Sequence, residues 1–328
     1  MDFAPEFFEK EIRSGFEIPT MMKRAWAAEL EVLQVIAEIC DRRGLQYYAD
    51  WGTLLGAVRH QGFIPWDDDM DICLKRKDYD ELIRVLPEEL PEGFALAGLY
   101  ADSERLRKRA QWLHSRVIVD DNWDFQELLK RFHGFPYSGV GIDIFPLDYL
   151  PADEELFDLQ KMIIAYGILT LQSWDMFLNS GELENRLIRI EELLGAPLPR
   201  DASTMYVLQR RLDAAAALWH ENEAAEMTES PFYLDMENYH LKKAWYEKVI
   251  TLPFEHVEIA VPCGYREVLT AQYGDYMTPV QGAQAHTYPF YALREKELVR
   301  QIRANGFEGT VEEFCQKMLN GEIQVKML

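Results

Sequence analysis

Asp67-Asp68-Asp69-Met70-Asp71 places four carboxylates within five residues, and few folds accommodate such a cluster. Burying an unpaired carboxylate is costly, so these acids must either face water or gather around a cation. Their neighbours favour the second arrangement. Met70, Ile72 and Leu74 alternate with Asp69 and Asp71, the pattern of a half-buried strand. On such a strand Asp69 and Asp71 share one face, roughly 7 Å apart, while the apolar side chains enter a core. An EF-hand loop is excluded, because counting from Asp67 puts Ile72 and Asp78 where that loop needs glycine and glutamate. Asp67 and Asp68 follow Pro65-Trp66 and read as turn caps, Asp68 above all, since it points away from its two neighbours.

The residues upstream suggest what the acids serve. Gln46 to Asp50 reads as a strand, Trp51-Gly52-Thr53 as a turn, and the run through Arg59-His60 as a short helix. A glycine turn opening a helix offers unpaired N–H groups to a phosphate, although glycine also suits any tight connection. Two acids on a rigid face suit Mg²⁺ or Mn²⁺, which take a few carboxylates and complete their shell with water and phosphate oxygens. The expectation is metal-assisted transfer of a phosphate-containing group, with Asp69 and Asp71 on the metal and Gly52 and Thr53 on phosphate. Arg59 suits either a phosphate or one of the aspartates. Further on, Trp112 to Val119 reads as a strand with Arg116 inside its apolar run, where a charge needs a partner. In Gly139 to Asp148, Asp143 faces away from Ile142 and Ile144. It is a third carboxylate that completes the metal site or accepts a proton, or else a structural ion-pair partner of Arg116.

The chain around this centre reads as globular. Residues 20 to 43 form an amphipathic helix with Thr20 as N-cap and Gly44 beyond its end, and Lys77 to Leu90 form another, closed by Pro87 and Pro91. Residues 153 to 245 are mainly helical, and their aromatic and methionine residues (Tyr166, Trp174, Met176, Phe177) read as core rather than as a cage for a quaternary ammonium. Residues 246 to 328 hold a β-like alternation at Val257, Ile259 and Val261 and end in two helices. The expected organisation is a catalytic core over 1–152, a helical insertion over 153–245, and a C-terminal part completing the core. A net charge of −22 opposes binding an extended DNA or RNA backbone. Arg105, Arg107, Lys108 and Arg109 form a basic island, read as a solvated loop or a contact for anionic substrate. The N-terminus does not read as a signal peptide, no run is long and apolar enough to span a membrane, and Cys40, Cys73, Cys263 and Cys315 lack metal-binding spacing. A cytoplasmic protein is expected, with peripheral attachment to the inner membrane face and homo-oligomerisation left open.

Gly52-Thr53 followed by Asp69-Met70-Asp71 resembles the nucleotidyltransferase-fold signature. The longer string GTLLGAVRHQGFIPWDDDMDI, with IDIFPLD around Asp143 and LPFE and YGDYM further on, closely resembles the LicD/fukutin family over about residues 45 to 286. The resemblance implies an α+β fold: a nucleotidyltransferase-like mixed β-sheet with a helical insertion and C-terminal helices. It also implies a CDP-linked donor, a phosphorylcholine or polyol-phosphate cargo, and a glycan or lipid-linked glycan acceptor in cell-surface glycan modification. His286 reads as structural or as a donor contact. Two rivals remain: a DxD glycosyltransferase using a nucleotide sugar, and a non-catalytic scaffold of a glycan-assembly complex.

Overall fold

The computed structural model describes residues 1–108, 113–120, 123–233, 239–279 and 288–324. A short hairpin, β1 (Glu11–Arg13) and β2 (Phe16–Ile18), precedes the long helix α1 (Thr20–Arg43). Gly44 closes α1 in the left-handed conformation that glycine adopts at least cost, while the N-cap is Pro19 rather than Thr20. Then come β3 (Tyr47–Ala49), α2 (Trp51–His60), β4 (Met70–Lys75), α3 (Arg76–Glu89), β5 (Phe94–Gly98), α4 (Glu104–Arg107), β6 (Ser115–Val119), α5 (Phe125–Arg131) and β7 (Gly141–Leu150). Pro87 sits inside the last turn of α3 instead of ending it.

The central sheet has the order β3-β4-β7-β6-β5. Within it β4 and β7 run parallel and the other pairs antiparallel, so the sheet is mixed. Met70, Ile72, Leu74, Ile142, Ile144 and Val117 are buried in the main core, as their alternation predicts. Four helices follow: α6 (Glu154–Gln172), α7 (Trp174–Ser180), α8 (Leu183–Leu194) and α9 (Thr204–Ala216). They pack around a second core built from Ile164, Ile168, Leu187, Leu208 and Leu212. Tyr166, Trp174 and Phe177 pack against this core, whereas Met176, read as core with them, is exposed on the outer side of α7; the Arg186 guanidinium lies over Tyr166 and Phe177 at 3.9 and 4.2 Å.

The chain then returns to the sheet. β8 (Glu226–Thr228) pairs with the far end of β7 and with β9 (Leu241–Lys242). The alternation read at Val257 to Val261 is one arm of a hairpin, β10 (Val249–Phe254) with β11 (Val257–Pro262). Three helices close the described chain: α10 (Tyr265–Tyr273), α11 (Tyr291–Ala304) and α12 (Val311–Leu319), the last with a complete capping box at Thr310 and Glu313. Among the described residues no helix is long and apolar enough to cross a membrane.

Candidate active site

Register brings the acids together. Asp71 in β4 is the direct partner of Asp143 in β7, and Asp143 is the direct partner of Arg116 in β6. Residues paired across adjacent strands point to one face about 4.8 Å apart, so the three form a row of two carboxylates ending in a guanidinium. Asp69 lies just before β4 and lines the same cleft. Arg116 Nε stands 3.3 Å from Asp143 Oδ1 and its Nη2 donates to the Gly141 carbonyl, while His114 Nε2 lies 3.5 Å from the same carboxylate oxygen. The ion pair foreseen between Asp143 and Arg116 is therefore present, and it stands inside the cleft.

Helix α2 supports the row from behind, and Trp51-Gly52-Thr53, read as a turn, is its first turn of helix, capped by Asp50. The Thr53 hydroxyl oxygen accepts from the Asp71 backbone N–H at 2.8 Å, and the Asp50 N–H donates to the Asp71 carbonyl at 3.0 Å. Thr53 is buried, so the contact it shows is one that positions Asp71. Gly52 lines the cleft; a Cβ there would meet Asp67 Oδ2 at 3.0 Å, so the missing side chain gives the acid its space. Gly56 serves packing alone: a Cβ would fall 2.4 Å from the Gly62 carbonyl, where α2 passes the following loop. That loop is fixed too. Trp26 stacks on Phe63 at 4.9 Å and donates its indole N–H to the Asp67 carbonyl, and Glu255 holds both the Phe63 N–H and Arg13.

Asp68 corrects its expected role. It does not cap the Pro65-Trp66 turn; its two carboxylate oxygens accept from the N–H groups of Phe290 and Tyr291 at 2.6 and 3.0 Å. It thus caps the start of α11, more than two hundred residues away, and ties that helix to the rim of the cleft. Burial outweighs these bonds and pushes its carboxyl up to about 6.

Asp67, Asp69, Asp71, Asp143 and Glu29 of α1 surround Arg116 in a cleft of about 890 Å³. Burial, followed by repulsion from neighbouring acids, drives Asp67 and Asp71 well above the ordinary carboxylate range. Burial also raises Glu29, with Arg116 pulling the other way. Asp67 Oδ1 and Glu29 Oε2 are buried without a hydrogen-bond partner. A concentration of hard oxygen donors with too little cationic charge fits a divalent ion of the Mg²⁺ or Mn²⁺ type. Helix α1 reads from its periodicity as scaffold, and Glu29 was not among the expected site residues. Its signal is an acid on the apolar stripe, four residues before Leu33 and three after Trp26.

The other candidates are distributed as follows. Arg59 lines the cleft, where its Nη1 donates to the Tyr276 carbonyl at 3.0 Å and its Nε to His60; among the described residues no aspartate is paired with it. Burial, and then Arg59, lower His60 to about 4. His286 lies outside the described residues, as does Arg109. The rest of the basic island is used locally: Arg105 bonds Asp120, Arg107 bonds the carbonyls of Ala101 and Asp102, and Lys108 pairs with Glu104. Trp51, Trp66, Phe145, Phe232, Tyr273 and Tyr288 give the cleft aromatic walls.

A mixed sheet carrying paired acids on adjacent parallel strands, with a glycine-bearing short helix beneath them, is a nucleotidyltransferase-like domain. Residues 44–149 match the LicD/FKTN/FKRP family, nucleotidyltransferase domain. Lipopolysaccharide cholinephosphotransferase LicD of Haemophilus influenzae is 25% identical over 260 residues, 76% of this chain and 88% of that protein. An uncharacterized protein of Rickettsia prowazekii is 42% identical over 125 residues, 38% of this chain and 42% of its own. Human ribitol 5-phosphate transferase FKRP is 35% identical over 48 residues, 15% of this chain and 10% of that protein.

Proposed function

We propose that this chain transfers phosphorylcholine, or a polyol phosphate, from a CDP-linked donor to a hydroxyl of a glycan or lipid-linked glycan. The observation that carries this reading is the in-register row Asp71, Asp143, Arg116, with Asp69 beside it. Asp69, Asp71 and Asp143 would hold Mg²⁺ or Mn²⁺, which when bound supplies charge neutralisation at the diphosphate and at the departing oxygen. The chain's own groups do the rest. Arg116 and Arg59 face the donor phosphates as fixed positive charges, with Gly52 allowing close approach of the backbone. The acceptor hydroxyl forms its new O–P bond as the bond to the nucleoside monophosphate breaks, and its proton passes to Asp143. Thr53 keeps Asp71 in place throughout. Phosphoryl transfer asks for positioning and charge stabilisation more than covalent help, and this site offers both.

The walls favour choline over a polyol. Aromatic faces attract quaternary ammonium ions, and the surrounding carboxylates add a negative field that a neutral polyol would not exploit. The cholinephosphotransferase likeness supports the same cargo. The test is thermal stabilisation by CDP-choline, CDP-ribitol, CDP-glycerol, UDP-glucose and CMP, each with and without Mg²⁺. A metal-dependent shift largest for CDP-choline is expected. A response confined to UDP-glucose would move the reading to glycosyl transfer, and no response to any nucleotide would leave a scaffold.

A further inference from the structure

Beneath the cleft wall lies a second polar centre that the transfer reaction does not use. Asp50, Cys73 and Glu229 each place a potential ligand atom within 4.8 Å of the other two, and all three are buried. They are separate from the open site: none of them lines the cleft, whose wall here is Trp51 and Phe232, with ring centroids 4.5 Å apart. Cys73 lies two residues beyond Asp71 on β4, hence on the same strand face, deeper in the fold.

The hydrogen bonding around this centre is incomplete. Asp50 Oδ1 accepts from the Trp51 N–H at 2.9 Å and from Gln272 Nε2 at 2.7 Å, and Glu229 Oε2 accepts from the Trp51 indole N–H at 2.8 Å. Asp50 Oδ2 and Glu229 Oε1 are buried and accept from no N–H group; the two carboxyl groups face each other and the Cys73 thiol, and the buried Tyr246 hydroxyl lies against the Cys73 sulfur. Among the described residues no lysine, arginine or histidine forms an ion pair with Asp50 or Glu229. Two acids and a thiol, fully enclosed, thus face one another with no cation.

We propose that Asp50, Cys73 and Glu229 form a buried structural site for a divalent ion of the zinc type. Zn²⁺ takes thiolate and carboxylate ligands at short distances, and a sulfur donor selects it over Mg²⁺, which suits the all-oxygen cleft. Binding forms one metal–sulfur and two metal–oxygen bonds and releases to solvent both the thiol proton and the proton that the two carboxyl groups share without the ion. The consequence reaches the cleft. Trp51 sits at a φ of +42°, in the left-handed region that a bulky residue rarely adopts, and both its N–H groups are bonded to ligands of this site. The ion would hold Asp50 and Glu229, and through them the aromatic wall, in one position.

The test is metal analysis of the full chain, purified without added metal and treated with a chelator to clear the open cleft. Stoichiometric zinc should remain in the wild type and in Asp71→Asn, and be lost from Cys73→Ser and Glu229→Gln. Wild-type chain refolded with Co²⁺ should show a near-ultraviolet thiolate-to-cobalt absorption band. The wild-type measurements decide the matter even where a buried substitution disrupts folding. Folded wild type with no retained zinc and no cobalt–thiolate band overturns the proposal and leaves the two carboxyl groups sharing a proton; loss of zinc from Asp71→Asn overturns the separateness of the two sites. Neither readout involves a nucleotide donor, so this inference stands or falls apart from the transferase reading.

Discussion

Glu29 and Glu31 stand two residues apart on α1, both almost fully buried, and their surroundings push them in opposite directions. Glu31 accepts from the N-terminal amine at 2.6 Å, from Arg131 at 2.7 Å and lies 2.9 Å from His133. Burial works against it, but these three partners win and hold its carboxyl down to about 2. Glu29 faces the cleft, where burial raises its pKa, the carboxylates of Asp69, Asp68 and Asp143 add to the rise, and Arg116 opposes it. One region spends each acid on a matched cation and gains stability. The other gathers acids beyond the cations available, a cost to the fold that makes sense only if a ligand supplies the missing charge.

The comparison breaks most decisively if the cleft acids can be neutralised without consequence. Asp71→Asn should lower turnover of CDP-choline by roughly 10³-fold or more, since it removes a carboxylate from the reacting centre. It should leave thermal unfolding unchanged or move it upward, because a repelled charge is removed. Near-normal turnover would remove Asp71 from the chemistry.

A second contrast lies at the far end of β7. Arg76, buried, bonds Asp148 at 2.6 Å and Asp213 of α9 at 3.1 Å, and so fastens the α6–α9 helices to the sheet; Ser230 donates to the other Asp148 oxygen at 2.8 Å. Removing one partner of a buried network strands the others. Arg76→Ala should cost about 3–5 kcal/mol in denaturant unfolding. A loss under about 1 kcal/mol would show that these helices are held by their apolar contacts instead.

Glu31 sharpens the contrast through pH. Its folded pKa lies below its ordinary value of 4.5, so the stabilisation is fully present above that value and disappears as pH falls towards about 2. Glu31→Gln should therefore be less stable than wild type by roughly 2 kcal/mol at neutral pH, with the gap closing across that acidic window. A gap that stays constant with pH would assign the loss to packing rather than to charge.

Which of these acids could be read from the sequence follows from the range of the interactions that define them. Asp69, Asp71 and Asp143 declare themselves through alternation with Met70, Ile72, Ile142 and Ile144, because strand periodicity is local. Arg116 stands out for the same reason. Asp68 does not, since its partners are backbone N–H groups of Phe290 and Tyr291, and no local pattern says which helix start an acid will cap. Nor does Asp148, which lies within β7 and bonds Arg76 and Ser230, both remote in sequence. The same limit hid the β10–β11 turn, where Glu255 adopts a φ of +53° without a glycine. In α1 the pattern was legible but its meaning was not: Lys23, Glu29 and Glu31 are all buried on a helix whose periodicity announces only an apolar face. Periodicity says that a charge is inside; only the fold says what it meets there.

Glu29 provides the smallest effect and the closest test of the opening contrast. Glu29→Gln removes one negative charge from a crowded cleft, and its amide can donate to the acids around it. Stability at neutral pH should rise by up to about 1 kcal/mol, against the loss expected at Glu31 two residues away. Because the folded pKa of Glu29 lies above its ordinary value, the wild type loses stability as pH rises from that value through the folded pKa, whereas the glutamine variant does not. The advantage of Glu29→Gln should therefore grow with pH over that window. An advantage that is absent at every pH, or a loss like that of Glu31→Gln, would mean that Glu29 has a partner as good as its neighbour's and that the cleft is not short of positive charge.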